Sequence, residues 1–177
     1  MIRLFAALSI PPGISEGLIR RQSGLHEARW RPTEAFHITL RFFGDIPETA
    51  AADLDLELSR IAFRPLDLEL KGVGAFGEGA DIHAVWAGVA DHPGLARLHR
   101  ACESAARRAG LAPDGRRYRP HVTLAYLRRA DPADVAHWIA ANDLLNSPAF
   151  RAEGFGLYSS WQTQEGSRYR LERAYPI

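Results

Sequence analysis

The chain has 177 residues, of which 46% are hydrophobic and 24% are charged, and its formal net charge is +1. This length predicts a single domain over 1–177, made of two small lobes that share an interface. The near-neutral charge excludes a chain that binds nucleic acid through bulk positive charge, but leaves room for a local basic patch. Cys102 is the only cysteine, which excludes a disulfide framework and a cysteine metal site.

The first apolar segment covers 2–10 and is predicted to be a buried strand. It is too short to span a membrane, and it runs into Pro11-Pro12 without a signal-peptide cleavage pattern. We therefore expect a cytoplasmic protein with no membrane association.

Hydrophobic periodicity and turn signals divide the rest of the chain into helices and strands. Helices are predicted over 14–28, 48–62, 93–109 and 132–143. Strands are predicted over 36–43, 66–71, 82–89, 121–127, 149–159 and 167–174. The first of these strands is expected to stop at the turn signal Gly44-Asp45, and the last helix to follow an Asp131 N-cap.

Two of the strands begin with the same pattern, a His and a Thr two positions apart with aliphatic residues after each. The pattern occurs at His37–Leu40 and again at His121–Leu124. Because strand side chains alternate between faces, His and Thr of each copy share one face and the aliphatic residues the other. A single copy would be explained as a buried histidine bonded to a carbonyl. Two matched copies favour a functional site with two imidazoles and two hydroxyls.

The order of elements repeats around the two motifs. In each half a helix precedes the motif strand, another follows it, and a Gly-x-Gly-x-aromatic segment comes next, at Gly72–Phe76 and Gly154–Tyr158. This repetition predicts two lobes related by a pseudo-twofold axis, with the histidines facing each other across a groove. The glycine pairs lack the lysine and the helix start of a phosphate loop, so we expect bulges or close backbone approaches there.

A pair of histidines can supply both a base and an acid near neutral pH, since an unperturbed imidazole has a pKa of ~6.5. Thr39 and Thr123 can donate hydrogen bonds to a developing oxyanion. Two histidines without nearby carboxylates make a poor metal site, so neither a metal nor another cofactor is expected.

Taken together, the motifs resemble the two-histidine (2H) phosphoesterases, and specifically the RNA 2′,3′-cyclic phosphodiesterases that are also described as 2′-5′ RNA ligases. The resemblance covers nearly the whole chain. Its segments are Arg3–Ala7, Trp30, His37–Asp45, Gly72–Phe76, Arg119–Ala125 and Gly166–Leu171. Each segment is modestly specific alone, whereas their shared order and spacing are strongly specific.

The resemblance implies an α+β, bilobal 2H phosphoesterase fold, with two pseudo-symmetric and mostly antiparallel sheets flanked by helices and an active cleft between the lobes. It implies a metal-independent enzyme that hydrolyses 2′,3′-cyclic phosphate RNA ends to a 2′-phosphomonoester, with reversible 2′-5′ ligation as a further activity. It also assigns His37 as the proton donor to the leaving 3′ oxygen and His121 as the proton acceptor from water.

The sequence departs at one position from the pattern of the family that it resembles. Members of that family often carry an arginine two residues after the leucine of the second motif, where this chain has Tyr126. A phosphate-contacting arginine must then come from elsewhere or be absent, and Arg41, Arg119 and Arg128 are the candidates. Strand alternation puts Arg41 and Phe43 on the face of the first motif's histidine, where Phe43 would stack on a base and Arg41 would reach phosphate. The alternative is that Phe43 is a core aromatic and Arg41 a solvated arginine.

The expected partner is RNA with 2′,3′-cyclic phosphate ends, with tRNA fragments as one candidate, and the expected state is a monomer. Two alternatives stay open: a non-catalytic module that binds RNA or nucleotides, and a cyclic phosphodiesterase of small nucleotides. The presence of both histidines favours an enzyme over a binding module. The arginine-rich loop 113–120 favours RNA over a small nucleotide.

Overall fold

Two four-stranded antiparallel sheets form the framework of the computed structural model, which describes residues 1–177. The strands are β1 (Ile2–Ser9), β2 (Arg29–Trp30), β3 (His37–Ile46), β4 (Leu66–Leu68), β5 (Leu70–Phe76), β6 (Ala84–Val89), β7 (His121–Tyr126), β8 (Phe150–Ala152), β9 (Gly154–Thr163) and β10 (Gly166–Pro176). The helices are α1 (Pro12–Ile19), α2 (Glu48–Ser59), α3 (Pro93–Arg108) and α4 (Pro132–Asn142). The expected α+β class with antiparallel sheets is confirmed.

The two His-x-Thr strands lie in different sheets. The first sheet has the strand order β10-β9-β1-β3 and the second has the order β2-β7-β6-β5, while β4 and β8 form a separate pair. The first motif therefore begins an edge strand, and the second begins a strand that is flanked on both sides. Strands from both halves of the sequence enter each sheet, because β9 joins β1 and β3 whereas β5 joins β7.

The aliphatic residues of both motifs are part of the hydrophobic core. Ile38, Leu40, Val122 and Leu124 are each at most 1% exposed, and they belong to a cluster of 34 buried residues. Burial of one such side chain stabilises a fold by about 1.5–3 kcal/mol, so this face of each strand is strongly specified. The opposite face of the motif is consequently held toward the space between the sheets.

The first helix is shorter than predicted. Residues 14–28 were expected to be helical, but α1 ends at Ile19, and the chain then takes left-handed backbone conformations at Gly24 and Glu27. It returns as the two-residue strand β2, which pairs with β7 and is too short to show a period in the sequence.

None of the four helices has the length and apolar composition needed for a membrane span.

Matching bulges interrupt both motif strands at the leucine that ends each motif. Ala7 pairs with Thr39 but Ala6 pairs with Arg41, so Leu40 is an extra residue in β3. Trp86 pairs with Thr123 but Val85 pairs with Ala125, so Leu124 is an extra residue in β7. A one-residue bulge reverses the face of every later side chain, which changes what the strands present to the cleft.

The strand β3 also continues past its expected end. Gly44-Asp45 was predicted to be a turn, but β3 runs to Ile46 with a second bulge at Phe43. Gly44 has a positive φ of 79°, which a glycine adopts without steric cost, so the strand bends there and still pairs with Leu4.

The Gly-x-Gly segments mark close approaches, as predicted. A Cβ added at Gly74 would lie 2.4 Å from the ring of Trp86, and one added at Gly156 would lie 2.6 Å from Leu171. At Gly74 this lets the Trp86 ring lie flat across the neighbouring strand, within 6.1 Å of the His121 ring. The glycine therefore supports the shape of the second motif's surroundings.

Candidate active site

Both motif histidines and both motif threonines line one cavity between the two sheets. This cavity of ≈ 480 Å³ is bounded by His37 and Thr39 from β3 and by His121 and Thr123 from β7. All four side chains are partly exposed, while the aliphatic residues between and after them are buried. The structure thus brings together, in one cleft, the four residues that the sequence predicted to act together.

The two imidazoles are held in the same way. The Nδ1 atom of His37 lies 2.8 Å from the Ala35 carbonyl oxygen, and that of His121 lies 2.6 Å from the Arg119 carbonyl oxygen. A carbonyl oxygen only accepts hydrogen bonds, so each Nδ1 carries the proton and donates it. The Nε2 atom of each ring is then left for chemistry, with a lone pair in the neutral state.

An aromatic ring packs against each imidazole. The ring of Phe5 lies 4.9 Å from the His37 ring, and the ring of Phe76 lies 4.8 Å from the His121 ring. Tyr169 adds a second, edge-on contact to His37 at 5.2 Å. These contacts remove rotational freedom from both imidazoles and shield them from water.

This environment lowers the pKa of both histidines. Burial lowers the pKa of His37 from 6.5 to about 4; the Ala35 hydrogen bond opposes this, and the positive charges of His121 and Arg31 reinforce it. Burial also lowers the pKa of His121, and the Arg119 hydrogen bond opposes the shift. Without a bound anion both imidazoles are therefore neutral at pH 7.

Two side chains hold the Thr39 end of β3 in place. The Tyr118 hydroxyl donates to the Thr39 carbonyl oxygen at 3.1 Å, and the His99 Nδ1 donates to the Leu40 carbonyl oxygen at 2.7 Å. The rings of Tyr118 and His99 stack on each other with a 3.8 Å centroid separation. Because β3 is an edge strand with a bulge at Leu40, these bonds to α3 and to the loop before β7 fix the Thr39 end of the strand on its open side.

The prediction that Arg41 shares the face of His37 is wrong. The bulge at Leu40 turns Arg41 to the other side, where its Nε donates to Glu103 at 2.5 Å and its Nη2 donates to the Ala112 carbonyl oxygen at 2.8 Å. A second carboxylate, Asp114, lies 3.5 Å from Nη1. The guanidinium is thus balanced by two carboxylates and ties β3 to α3 and the following loop.

The face predicted for Phe43 is wrong for the same reason. Phe43 is the extra residue of the second bulge and packs against the core, where the Arg41 guanidinium lies over its ring at 5.8 Å. Phe42 takes the place in the cleft wall that was expected for Phe43. Tyr126 occupies the corresponding position, five residues after the histidine, on β7 and also lines the cleft.

The two remaining arginine candidates do not lie in the histidine cleft. Arg119 lines an adjoining cavity of ≈ 560 Å³ that shares the walls formed by Thr39, Phe42, His121, Thr123 and Tyr126. Arg128 is exposed and lines neither cavity. Arg119 therefore lies beside the site, whereas the proposed contact of Arg128 with substrate has no support in the geometry.

The cleft contains three arginines that the sequence did not single out as phosphate ligands. They are Arg3 on β1, Arg29 on β2, and Arg31 directly after β2. Arg3 is paired with Asp45 at 3.2 Å, and its side chain is 48% exposed. Arg31 reaches the cleft only because β2 pairs with β7, and a two-residue strand gives no signal from which that pairing could be inferred.

No group of three or more His, Cys, Asp or Glu side chains is arranged to hold a metal ion. The cleft instead offers two imidazole nitrogens, the hydroxyls of the two motif threonines, further serine and tyrosine hydroxyls, and three guanidinium groups. Imidazoles exchange protons and the other groups donate hydrogen bonds, so the site suits proton transfer around an anion.

Comparisons with known proteins agree with this chemistry. The family model described as the 2′-5′ RNA ligase superfamily matches residues 11–162. The RNA 2′,3′-cyclic phosphodiesterase of Archaeoglobus fulgidus is 27% identical over 98% of this chain and 99% of its own, and that of Thermus thermophilus is 30% identical over 96% and 87%. The crystal structure of E. coli LigT complexed with 3′-AMP superposes with a TM-score of 0.81 at 26% identity, covering 99% of this chain and 98% of that one.

Proposed function

The chain belongs to the 2′-5′ RNA ligase superfamily, and we propose that it is an RNA 2′,3′-cyclic phosphodiesterase that opens the cyclic phosphate to a 2′-phosphomonoester. The observation that carries the proposal is the joint placement of His37, Thr39, His121 and Thr123 around one cavity, with both Nε2 atoms free of other partners. The relatives named for the same activity, over nearly their whole length, support it.

Hydrolysis in this cleft needs two proton transfers on opposite sides of phosphorus. His121 accepts a proton from water as the water oxygen bonds to phosphorus, and His37 donates a proton to the 3′ oxygen as its bond to phosphorus breaks. The products are a 2′-phosphomonoester and a 3′-hydroxyl. Thr39 and Thr123 donate hydrogen bonds to the non-bridging oxygens, which gain charge in the transition state.

The acid role of His37 requires a change in its protonation on binding. Its pKa of about 4 leaves it neutral at pH 7 in the free protein, and this low pKa alone would favour His37 as the base. An anionic phosphate within hydrogen-bond distance stabilises an imidazolium and raises its pKa. The substrate thus brings about the protonation of the acid, and binding is accompanied by uptake of a proton.

The activity proposed here needs no metal, since the two imidazoles supply both proton transfers and the threonines stabilise the charge. The substrate is RNA that ends in a 2′,3′-cyclic phosphate, and tRNA fragments are one candidate source of such ends. Reverse 2′-5′ ligation uses the same groups in the opposite order. The monomeric state and the cytoplasmic location stay predictions.

A short RNA with a 2′,3′-cyclic phosphate end, incubated with the protein in EDTA, tests this function. The expected product is the 2′-phosphomonoester, distinguished from the 3′ isomer by chromatography against standards. His26→Ala is the matched control, because His26 is 88% exposed and lies outside the cleft. Tight binding without turnover would favour a binding module, and turnover of cyclic mononucleotides alone would favour a small-nucleotide enzyme.

A further inference from the structure

Two arginine side chains are buried in this protein, and they differ in what balances their charge. Arg41 is 7% exposed and is paired with Glu103 and Asp114. Arg31 is 4% exposed, and its guanidinium has no carboxylate within 4.0 Å. A buried cation without a counter-ion is costly in free energy, and that cost falls when an anion binds beside it.

The guanidinium of Arg31 lies where the two sheets meet. Arg31 follows β2 of the second sheet, but its Nη2 donates to the Ser167 carbonyl oxygen on β10 of the first sheet at 2.8 Å. The guanidinium also lies over the rings of Tyr126 and Tyr169, 5.4 and 5.6 Å from their centroids. This single hydrogen bond leaves four of its five N–H donors without a protein acceptor, and Arg31 forms part of the wall of the histidine cleft.

The backbone of Arg31 is fixed before any ligand arrives. Its N–H donates to the Leu124 carbonyl oxygen at 2.8 Å, directly after the β2–β7 pairing. The Gln22 side-chain amide donates to the carbonyl oxygens of both Arg31 and Leu124, at 2.8 and 3.2 Å. The guanidinium is therefore held close to a set position relative to the second motif, which reduces the entropy lost when it binds a ligand.

The other arginines of the cleft are less suited to the same task. Arg3 is paired with Asp45 and about half exposed, and Arg29 is exposed. Exposed charges act through water and are screened by salt, whereas a buried guanidinium acts at low effective dielectric. Arg31 is the one cleft arginine that is both buried and without a carboxylate partner.

We propose that Arg31 binds the phosphoryl group, with its free N–H donors on the non-bridging oxygens between the two motif strands. This inference rests on the proposed function, because it assigns a residue to the same site. It supplies the phosphate cation that neither Tyr126 nor Arg41 provides, from the position directly after β2. A guanidinium group suits this role, since two of its N–H groups can donate to two phosphate oxygens at once.

Arg31 should affect the rate of hydrolysis as well as the affinity for substrate. The cyclic phosphate carries one negative charge, and attack by water, with its proton passing to His121, raises the charge on the phosphoryl oxygens toward two. A cation beside those oxygens therefore stabilises the transition state more than the ground state. Arg31→Met should lower kcat as well as raise KM, with a loss in kcat/KM of ~10²- to 10³-fold.

A structural role for Arg31, through its bond to Ser167, must be separated from phosphate binding. The measurement is the affinity of one short RNA with a 2′-phosphate end and of the same RNA with hydroxyl ends, for wild type, Arg31→Met, Arg31→Lys and Arg31→Met/Tyr126→Arg. The ratio of the two affinities isolates the phosphate contact. Arg128→Met is the matched control, because Arg128 is exposed and lies outside the cleft.

We expect wild type and Arg128→Met to prefer the phosphorylated end equally, and Arg31→Met to lose at least ~10-fold of that preference with hydroxyl-ended RNA bound as before. Because the Arg31 guanidinium lies over the Tyr126 ring, Tyr126→Arg should return a guanidinium to the same wall of the cleft and restore the preference, which a merely structural role does not predict. If Arg31→Met fails to fold, the phosphate preference of Arg31→Lys is the deciding measurement. We expect it to lose less of the preference, because lysine keeps the positive charge but lacks the two-pronged guanidinium geometry.

An unchanged preference in a folded Arg31 variant would overturn the inference while leaving the hydrolysis of cyclic ends intact. Absence of any phosphate preference in wild type would overturn it as well. Failure of wild type to open the cyclic phosphate, with an Arg31-dependent phosphate preference, would instead overturn the proposed function alone.

Discussion

The two motif strands are alike in local construction and different in surroundings. Each places its histidine Nδ1 on the carbonyl oxygen two residues earlier, packs a phenylalanine against the ring, and has a bulge at the leucine that ends the motif. However, β3 is the edge of its sheet, whereas β7 has strands on both sides and the exposed Tyr126 at its end. The two rings beside His37 lie 4.9 and 5.2 Å from it, and the two beside His121 lie 4.8 and 6.1 Å from it.

The difference shows that one motif can produce two unequal imidazoles. Desolvation is the largest cause of the low pKa at both histidines, and the charges of His121 and Arg31 add to it at His37, whose pKa is about 4. The asymmetry needed for an acid and a base therefore comes from the surroundings of the motif and not from the motif. The two strands should therefore respond differently to some changes in sequence and pH and alike to others.

Alanine at either histidine should have the largest effect. His37→Ala or His121→Ala is expected to lower kcat by at least ~10²-fold, since each removes one of two required proton transfers. The double variant should be little slower than the slower single one, because the two groups act in one step. Steady-state hydrolysis of a cyclic-phosphate RNA measures this, and anisotropy checks that RNA affinity largely persists. An intact rate in either single variant would contradict shared catalysis.

The two threonines should give smaller and similar losses. Thr39→Val and Thr123→Val each remove one hydrogen bond to a charged oxygen, worth about 1.5–3 kcal/mol, so we expect a ~10- to 10²-fold loss in kcat. The same rate assay measures it. A large loss at one threonine and none at the other would show that only one strand contacts the phosphoryl group.

The pH profiles of kcat/KM and of kcat should differ, because the first reports the free protein and the second reports the complex with substrate. The profile of kcat/KM reports the free protein, and both histidine pKa values are lowered there, so both limbs of its bell should fall below pH ~6.5. The profile of kcat should be displaced to higher pH, because bound phosphate raises the imidazole pKa values. Calorimetry in buffers of different ionisation enthalpy should also show proton uptake on binding. Coincident profiles and no uptake would contradict substrate-driven protonation.

The smallest effect is on stability. The pKa of His37 is lower in the folded protein than in the unfolded chain, so the unfolded chain binds the proton more tightly and stability falls as pH drops from 6.5 through 4. His37→Gln should remove up to ~2 kcal/mol of this acid destabilisation at pH 5 and none of it at pH 8. Urea unfolding at the two pH values measures it. His26→Gln is the control, and an equal response in both variants would contradict the burial effect.

The faces on which the motif residues lie could be predicted from the sequence, because they depend only on local strand geometry. Alternation along a strand correctly placed His37 with Thr39 on one face and Ile38 on the other, because the pattern lies before the bulge at Leu40. The same rule failed for Arg41 and Phe43, because each bulge inserts one residue and reverses the faces of the side chains after it. No distinctive residue marks these bulges in the sequence.

Residues that depend on long-range pairing could not be found in this way. Arg31 reaches the cleft because Trp30 pairs with Ala125, almost a hundred positions later, and Gln22 then ties the two strands together. Only the fold brings these segments into contact, so no local pattern around Arg31 indicates a phosphate ligand. The low pKa of His37 has the same origin, since its largest cause is burial among segments that are distant in the sequence, such as those carrying Phe5 and Tyr169.

The central claim, that two similar strands take opposite proton-transfer roles, is tested most directly with a substrate whose bridging 3′ oxygen is replaced by sulfur. A thiolate leaves without being protonated, so the acid becomes unnecessary while the base is still required. The measurement is the hydrolysis rate of this substrate by His37→Ala and by His121→Ala, each relative to wild type. We predict that His37→Ala regains most of its lost rate and that His121→Ala does not. Recovery of His121→Ala instead would show that the roles are reversed, and recovery of neither would contradict a simple acid and base pair.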